Sequence, residues 1–264
     1  MTMRITILGC GSSGGVPRVS GGWGKCDSQN PKNNRRRCGI LVEQRNGGGC
    51  TAVLVDTPPD LRQQLIDVGL QALDAVLYTH DHADHTHGID DLRMVAYAMK
   101  RRIPCHMDPV TKAALEARFA YCFVQPAGSS YAPILTAHEI GPSPVVIAGG
   151  GGAITALPIR QQHGDIESLG FRFGNLAYSP DISGFIDGSE RHLEGLDVWI
   201  VDTLRYSAHP SHFHLKRALE WIERLQPKRA ILTHMTSDLD YDALRRELPA
   251  HVEPAHDGMV VETV

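Results

Sequence analysis

The chain has 264 residues, of which 42% are hydrophobic and 21% are charged, a composition ordinary for a globular protein with a buried core. The formal net charge of −4 argues against a protein that lives on long nucleic acid, because such proteins usually present a basic face to the phosphates. No stretch approaches the roughly 18 apolar residues that span a bilayer, and the N-terminal apolar run is too short for an export signal.

The six cysteines form neither a C-x-x-C pair nor a tight framework, so we expect reduced and mostly buried thiols. With no export signal, this pattern favours the cytoplasm. The chain contains no internal repeat, low-complexity tail or long linker, so a single domain over residues 1–264 is expected.

Short apolar or β-branched runs, most of them bounded by Gly, Pro or Asn, predict strands along the whole chain. In chain order these runs cover residues 4–8, 39–43, 52–56, 75–79, 145–148, 153–159, 171–173, 177–178, 198–202, 230–233 and 259–262. The glycine-rich segments 46–49 and 149–152 predict hairpin turns.

Four segments predict helices between the strands. In the first, Thr57 offers a cap, Pro58 occupies the first helical position, and Gly69 ends the run. The others are expected over 107–120, from about 211 to 225, and over 239–248, and the third has the most regular 3.6-residue apolar periodicity. This alternation favours a layered α/β sandwich with helices outside two sheets, and a doubly wound Rossmann-like sheet is the alternative, although its glycine-rich fingerprint is missing.

A cluster of histidines follows the predicted strand 75–79. The sequence His80-Asp81-His82-Ala83-Asp84-His85 places four candidate ligands within six residues, in a chain with fourteen histidines. In an extended backbone the side chains of His80 and His82 point the same way and can bind one ion, which leaves Asp84 and His85 for a neighbouring position. The alternative interpretation is a solvated polar loop.

This motif resembles the signature of the metallo-β-lactamase superfamily. The resemblance implies a four-layer αβ/βα sandwich of two mixed sheets and a dinuclear metal site. It implies that His163 joins His80 and His82 on the first metal, that His234 joins Asp84 and His85 on the second, and that Asp181 bridges both. It also assigns Asp56 a supporting role behind the motif loop.

The implied ligands are imidazoles and carboxylates without a thiolate. Such a set suits two divalent transition-metal ions, Zn or Mn in the first instance, with Fe or Ni as alternatives. In sites of this kind the metals hold a hydroxide that attacks the substrate, and they stabilise charge on the reacting oxygens.

Residues 201–215 resemble the phosphodiesterase branch of the superfamily, which contains tRNA-processing ribonuclease Z and the PhnP-like cyclic phosphodiesterases. This resemblance implies that His212 is catalytic, as a proton donor to the leaving oxygen, together with Asp181. The alternative for His212 is a helix cap, and we expect structural or solvent-facing roles for His209 and His214. The implied partner is a small, cyclic or short phosphodiester of a sugar or nucleotide, and a homodimer is an open alternative to a monomer.

Three further segments resemble PhnP-like proteins. They imply substrate contacts from Ser13, in the glycine-rich loop 9–18, and from His256 and Asp257 near the C-terminus. The basic run 35–37 is of a kind that is usually solvated, and the resemblance implies that it lies near the rim of the site, where it could attract phosphate. The chain departs from PhnP in lacking its cysteine cluster and in placing Ser237 three residues after His234, so the structural zinc of PhnP is not expected.

Two other reactions occur on the same fold and remain alternatives. A mononuclear iron oxygenase would bind one metal equivalent instead of two. A thioester hydrolase of the glyoxalase II type would carry a C-terminal helical domain, whereas this chain ends with a strand soon after His234. A non-catalytic binding relative is a third alternative, although every ligand position here is filled.

Overall fold

A computed structural model describes residues 2–263, which form two β-sheets with helices around them. The strands are β1 Thr2–Gly9, β2 Gly39–Asn46, β3 Gly49–Val55, β4 Ala75–Leu77, β5 Ile103–Met107, β6 Leu135–Glu139, β7 Val145–Ile147, β8 Ile154–His163, β9 Ile166–Phe173, β10 Leu176–Ser179, β11 Gly184–Phe185, β12 Val198–Asp202, β13 Arg229–Thr233, β14 Val252–Pro254 and β15 Val260–Thr263. The helices are α1 Leu61–Val68, α2 Ala83–Thr86, α3 Leu92–Met99, α4 Pro109–Arg118, α5 Ala120–Phe123, α6 Leu215–Leu225 and α7 Tyr241–Glu247.

Both sheets are mixed. The first has the order β15-β1-β2-β3-β4-β5-β6, antiparallel from β15 to β3 and parallel from β3 to β6. The second has the order β11-β8-β9-β10-β12-β13-β14, antiparallel up to β10 and parallel from β10 to β14, and β7 pairs with β8. The predicted layered sandwich is therefore confirmed, and the Rossmann-like alternative is wrong.

The apolar side chains form two buried clusters. One lies between the sheets and extends to α6 and α7, and the other lies between the first sheet and helices α1, α3 and α4. Along β2, Ile40 and Val42 point into the first cluster while Leu41 points into the second. Both faces of this strand are buried, which explains why its sequence reads as a continuous apolar run instead of an alternating one.

Both predicted hairpin turns are present. Asn46 pairs with Gly49, and the two residues between them, Gly47 and Gly48, have φ values of 55° and 86°. Left-handed backbone at both central positions is the geometry that joins two antiparallel strands with least distortion, and glycine adopts it without a steric penalty. The second turn, over residues 149–152, joins β7 to β8.

Several helix boundaries differ from the predictions. Helix α1 begins at Leu61, and Thr57 does not cap it: the hydroxyl of Thr57 contacts Tyr78 Oη and donates to Thr86 O. Helix α6 begins at Leu215, four residues later than expected. Helices α2, α3 and α5 and strands β5, β6, β11 and β14 were not predicted, and the expected helix 107–120 is α4, capped by Asp108.

The predicted state of the cysteines is confirmed: all six are free, and all but Cys50 are buried. Across residues 2–263, no helix combines the length and the apolar character that crossing a membrane requires.

Candidate metal centre and active site

The candidate ligands come from strand ends that meet at one edge of the two sheets. His80 follows β4, His163 ends β8, Asp181 follows β10, and His234 follows β13. Parallel strands bring their carboxyl ends to the same edge, so side chains far apart in sequence converge there. The remaining three candidates lie in the motif loop and in α2, which turns directly after His82 and so aims Asp84 and His85 at the same point.

The structure brings all seven predicted ligand side chains together. They form two groups whose ligand atoms lie within 4.8 Å of one another, and Asp181 belongs to both. The groups are His80, His82, His163 with Asp181, and Asp84, His85, His234 with Asp181.

Asp181 lies between the groups and offers one oxygen to each. Its Oδ2 is 3.8 Å from His80 Nε2 and 3.6 Å from His163 Nε2. Its Oδ1 is 3.1 Å from His85 Nε2 and 3.3 Å from His234 Nε2. Ligand atoms about 2.0–2.1 Å from a tetrahedral metal are separated from each other by about 3.3–3.4 Å, so these spacings suit two metal ions bridged by one carboxylate.

The hydrogen bonding of the same atoms also suits metal ions. Four buried atoms that face the groups have no hydrogen-bond partner among the described residues, namely His80 Nε2, His85 Nε2, His234 Nε2 and Asp181 Oδ1. Buried polar atoms are almost always satisfied, and leaving several unpaired in one place is costly. The two His/Asp groups therefore fit a pair of divalent metal ions, whose identity this ligand set leaves open.

The histidines are oriented by the groups behind them. Asp56 accepts hydrogen bonds from the backbone N–H and the hydroxyl of Thr79, both at 2.8 Å, and from His85 Nδ1 at 2.7 Å. Since the Thr79 hydroxyl donates to Asp56, its oxygen accepts from His80 Nδ1 at 3.0 Å. In both rings Nδ1 therefore donates, which leaves Nε2, the nitrogen that faces the centre, as the one that would bind a metal.

His163 is fixed in the same way from another element. Its Nδ1 lies 2.7 Å from the backbone carbonyl of Ser211, which can only accept, so Nδ1 donates and Nε2 is free for a metal. Its Nε2 lies 3.3 Å from His82 Nδ1, which is therefore the nitrogen that His82 directs to the same group.

The charges of the centre favour a bound cation. Burial alone lowers the pKa of His234, but the carboxylates of Asp181, Asp202 and Asp84 outweigh burial and raise it well above its usual value. His80 behaves differently, because burial and the neighbouring His85 lower its pKa and keep the ring neutral. The carboxylates thus supply negative charge that a divalent ion would neutralise, while a neutral imidazole supplies a lone pair.

Three residues of the site have left-handed backbone without being glycine. Asp56, Asp181 and His234 have φ values of 66°, 45° and 57°, and each lies one or two residues beyond the end of a strand. Such conformations cost of order 1 kcal/mol or more each and persist where the surrounding structure dictates them. Here they turn the chain sharply enough to aim a strand-end side chain into the edge of the sandwich.

His212 lies beside the groups at the open end of the site. Its Nδ1 is 2.8 Å from Asp202 Oδ2, and its Nε2 is 4.0 Å from Asp181 Oδ2. The side chain is 11% exposed, whereas those of Asp181 and Asp202 are almost fully buried. The alternative role as a helix cap is wrong, because the residue before α6 is His214 and no side chain caps that helix.

The sequence reasoning missed Asp202. It ends β12, which lies between β10 and β13, so its carboxylate reaches both His212 Nδ1 and, at 3.5 Å, His234 Nδ1. It also accepts the backbone N–H of Ile182, next to Asp181. A single acidic residue at the end of a buried strand carries no sequence signal by itself, and the sheet order alone reveals its place.

The three residues predicted to contact substrate do not belong to the ligand groups. Asp257 is tied to the glycine-rich loop, since its carboxylate accepts the backbone N–H groups of Cys10 at 3.1 Å and Arg36 at 2.8 Å. Ser13 is exposed on that loop, whose Ser12 donates its backbone N–H to the carbonyl of Met235. His256 is partly buried, with its Nδ1 next to the carbonyl of Asp257. Substrate contact remains a prediction for all three.

The basic run 35–37 is not the solvated rim that we expected. Arg35 is 1% exposed and donates to the backbone carbonyls of Thr236 and Leu239 and to the side chain of Asn33. Arg36 and Arg37 form ion pairs, with Asp67 and Asp60 among their partners. These arginines hold segments together and leave no free basic patch.

The chain matches known proteins over most of its length. The sequence profile of the beta-lactamase superfamily domain matches residues 51–235. A protein named octanoyltransferase from Porphyromonas gingivalis is 30% identical over 260 residues, 97% of this chain but 51% of that protein. The chain therefore spans about half the length of this curated relative.

One solved structure gives the same family, and a second shows the same fold. A diphosphatase from the PhnP family superposes with a TM-score of 0.89 at 33% identity, covering 100% of this chain and 98% of the other. The metallo-beta-lactamase fold protein YhfI from Bacillus subtilis superposes with a TM-score of 0.71 at 20% identity and 99% coverage of both chains, which shows the fold alone. The chain therefore belongs to the metallo-β-lactamase superfamily, whose members are mainly metal-dependent hydrolases, and within it is a PhnP-like protein.

Proposed function

We propose that the chain is a metal-dependent phosphodiesterase that hydrolyses a small phosphodiester, cyclic or short, of a sugar or nucleotide. The observation that carries this proposal is the His212–Asp202 pair, because it places a proton-carrying group beside two metal-binding groups. Hydrolysis of a phosphodiester needs a proton for the leaving oxygen, and a positioned imidazole is the usual donor.

In this proposal seven side chains bind two metal ions: His80, His82, Asp84, His85, His163, Asp181 and His234. Two bound metals would supply Lewis-acid activation of a water molecule and stabilise charge on the attacking and leaving oxygens. Asp181 would hold the two ions at a fixed separation, since each of its oxygens faces one group. The alternative of a mononuclear iron oxygenase is less well supported, because the second group has as many ligands as the first.

His212 would act on the leaving oxygen. Its Nδ1–H donates to Asp202, so the proton that it can deliver is on Nε2, which faces the centre. Asp202 would hold the ring in one orientation and stabilise its charged form before the proton is transferred. After the transfer, the neutral ring would recover a proton from solvent through the open side, where its side chain is partly exposed.

The PhnP-family relative supports chemistry at phosphorus. That protein is described as a diphosphatase, is 33% identical and matches this chain over almost its full length. A diphosphate and a phosphodiester both present a tetrahedral phosphorus with an oxygen leaving group, so the same arrangement of metals and proton donor serves either.

The name of the curated relative raises acyl chemistry as a second candidate. The octanoyltransferase matches this chain over only about half of its own length, so its named activity need not belong to the matched half. Its name nevertheless justifies testing a thioester, which would also test the alternative of a thioester hydrolase on this fold.

One screen separates these candidates. Demetallated protein is supplied in turn with Mn, Zn, Fe and Ni and is assayed on phosphodiesters, ribose cyclic phosphates, nucleoside diphosphates and an octanoyl thioester. We expect turnover of at least one phosphodiester with two metal equivalents bound. Turnover of the thioester alone, or full activity with one equivalent, would overturn the proposal.

A further inference from the structure

A shallow, open cleft of about 600 Å³ lies beside the first metal-binding group. It lies between the motif loop with α2 on one side and the C-terminal end of α4 on the other, and it is lined by Asp81, His82, Ala83, His87, Arg118 and Phe119.

The cleft is continuous with the metal-binding centre through His82. This residue belongs to the first ligand group, with His82 Nδ1 3.3 Å from His163 Nε2, and the same residue lines the cleft. His82 is also exposed, unlike His80 and His163 in the same group. A molecule that has one group at the metals can therefore extend past His82 into the cleft without crossing the protein core.

Two rings form part of the wall. The rings of His87 and Phe119 meet edge to face, with centroids 5.6 Å apart and an interplanar angle of 80°. Phe119 is only partly buried and His87 is exposed, so both rings have surface available to a bound molecule. Aromatic side chains next to a phosphate-binding position are a common means of stacking the base of a nucleotide.

The charged groups of the cleft are already paired with each other. Arg118 donates to the backbone carbonyl of Asp81 at 2.5 Å and to its carboxylate at 2.6 Å. The pair neutralises the guanidinium charge, so this cleft lacks the free cation that a second phosphate or another anion would need. The pair holds the planar guanidinium of Arg118 in one orientation. A guanidinium plane can stack on the ring of a bound molecule.

We propose that this cleft binds the nucleobase, or an equivalent flat ring, of the substrate while its phosphate lies at the metal-binding centre. The inference rests on the proposed phosphodiesterase function and narrows it to nucleotide-like substrates. Phe119 and His87 contact the ring, Arg118 flanks it, and the Arg118–Asp81 pair holds this wall against the motif loop.

The test compares two esters with the same leaving group on the metal-loaded protein: the p-nitrophenyl ester of thymidine 5′-monophosphate and methyl p-nitrophenyl phosphate. The unsubstituted protein is expected to have the higher kcat/KM for the nucleotide ester. Phe119→Ala and the more conservative Phe119→Leu should each lower the ratio of the two kcat/KM values roughly tenfold, which is the usual scale for one lost stacking contact.

Tyr121→Ala is the matched control. Tyr121 lies two residues beyond Phe119 and is 43% exposed, but it does not line the cleft and instead faces Arg93. This variant should leave both kcat/KM values unchanged. If the ratio is the same in both Phe119 variants as in the unsubstituted protein, the cleft does not bind the ring and the inference is overturned.

A binding measurement distinguishes failure of the inference from failure of the proposed function. If neither ester is hydrolysed, the phosphodiesterase proposal fails, and adenosine monophosphate is then titrated into the metal-loaded protein by calorimetry. A roughly tenfold weaker affinity in Phe119→Leu would still support the cleft as a base-binding site. Equal affinities in the variant and the unsubstituted protein would reject it.

Discussion

The imidazole of His212 is held by the carboxylate of Asp202, with 2.8 Å between Nδ1 and Oδ2. Asp202 is fully buried, and burial by itself raises the pKa of its carboxyl, but His212 and His234 outweigh this and lower it. The carboxylate is therefore ionised and can only accept, which fixes the proton of His212 on Nδ1 and points Nε2 to the centre. A buried carboxylate, a partly exposed imidazole and two metal-binding groups thus form one connected arrangement.

Replacing His212 with Ala should lower the turnover of diphenyl phosphate, whose phenolate leaving group needs a proton, at least about a hundredfold, which is the low end for loss of a proton-transfer group. His212 forms a third cluster with Asp202 and His234, but its Nδ1 donates to Asp202, and it is outside the two four-residue groups that share Asp181. Metal content should therefore not change. The assay is steady-state kinetics with metal analysis of the same sample. His209→Ala is the control, since His209 lies next to His212, with ring centroids 5.2 Å apart, but its Nδ1 faces Ser211. Unaltered turnover in His212→Ala would remove this residue from the mechanism.

Replacing Asp202 with Asn should lower kcat about 10–100-fold, the usual loss when the group that orients a functional histidine is changed. The amide keeps the shape of the side chain, but its NH₂ group can donate to His212 and so favours the wrong ring tautomer. The loss should be larger for a phenyl ester than for a p-nitrophenyl ester, because phenolate needs more help from a proton donor.

The comparison of esters also tests how Asp202 acts. Its Oδ1 lies 3.5 Å from His234 Nδ1. Asp202 could therefore also act by orienting His234, which belongs to the second ligand group. An equal loss on both esters, together with lowered metal content, would show that Asp202 acts through His234 and would contradict its role as the residue that positions His212.

Chelation should lower the melting temperature of the metal-loaded protein by about 5–10 °C. Metal that binds only the folded chain stabilises it by roughly 2.7 kcal/mol at a hundredfold excess over its Kd, and 1 kcal/mol shifts the melting temperature of a chain of this size by about 2–4 °C. Asp181→Ala should lose both the bound metal and the effect of the chelator, since each oxygen of Asp181 faces one ligand group.

The measurement is differential scanning fluorimetry with and without chelator, alongside metal analysis. Asp165→Ala is a suitable control because Asp165 is an exposed residue in the turn after β8. It should bind metal and respond to the chelator as the unsubstituted protein does. A melting temperature that chelation leaves unchanged in the unsubstituted protein would mean that no metal contributes to its folded state.

Much of the centre could be predicted from the sequence because the motif at residues 80–85 resembles the superfamily signature, and that resemblance implies the later ligands His163, Asp181 and His234. His80 and His234 directly follow the apolar runs 75–79 and 230–233, whereas His163 and Asp181 lie a few residues beyond the runs that precede them. Asp202 ends the predicted strand 198–202, but neither the motif nor the resemblance gives it a role. Its role depends on β12 lying between β10 and β13, a property of the sheet order that no local pattern records.

Helix α3 illustrates a second limit. Leu92 and Ala96 are buried, but Met94 and Tyr97 on the same helix are 70% and 45% exposed. Apolar residues on the exposed side hide the 3.6-residue periodicity that predicts a helix. Arg35 shows the opposite error: a run of three arginines is usually solvated, and only the folded chain shows that this guanidinium is surrounded by carbonyl groups.

Replacing Arg35 with Met should destabilise the fold by about 2–4 kcal/mol. The guanidinium donates to Thr236 O at 3.0 Å and to Leu239 O at 2.6 Å, and hydrogen bonds from a charged group contribute about 1.5–3 kcal/mol each, partly offset by the cost of burying the charge. Urea unfolding gives the free energy directly. Arg36→Met is the matched control and should cost less, because the side chain of Arg36 is 29% exposed and its partner Asp67 is 43% exposed. Equal losses in the two variants would contradict the structural role of Arg35.

The His106–His138 pair should make the fold less stable in acid. The rings stack with centroids 5.0 Å apart on adjacent parallel strands, and burial, with a smaller contribution from His138, lowers the pKa of His106 to about 4. In the unfolded chain the value is about 6.5, so below that pH the unfolded chain binds more protons than the folded one. The stabilisation is therefore complete above about pH 6.5 and is lost as the pH falls toward 4.

Replacing His106 with Phe removes the titrating group and keeps an aromatic ring that can stack on the imidazole of His138. The decrease in unfolding free energy between pH 7 and pH 5, measured by urea unfolding of metal-free protein, should be smaller in the variant by about 1 kcal/mol, a value reduced for the exposed part of the ring. His192→Phe serves as the control, because His192 lies in the segment before β12, far along the chain from the pair. The decrease in unfolding free energy of this variant should match that of the unsubstituted protein. The metal ligands titrate in all three proteins alike, so their contribution cancels in the comparison. If His106→Phe lost as much stability as the unsubstituted protein, the acid sensitivity would have to come from other groups.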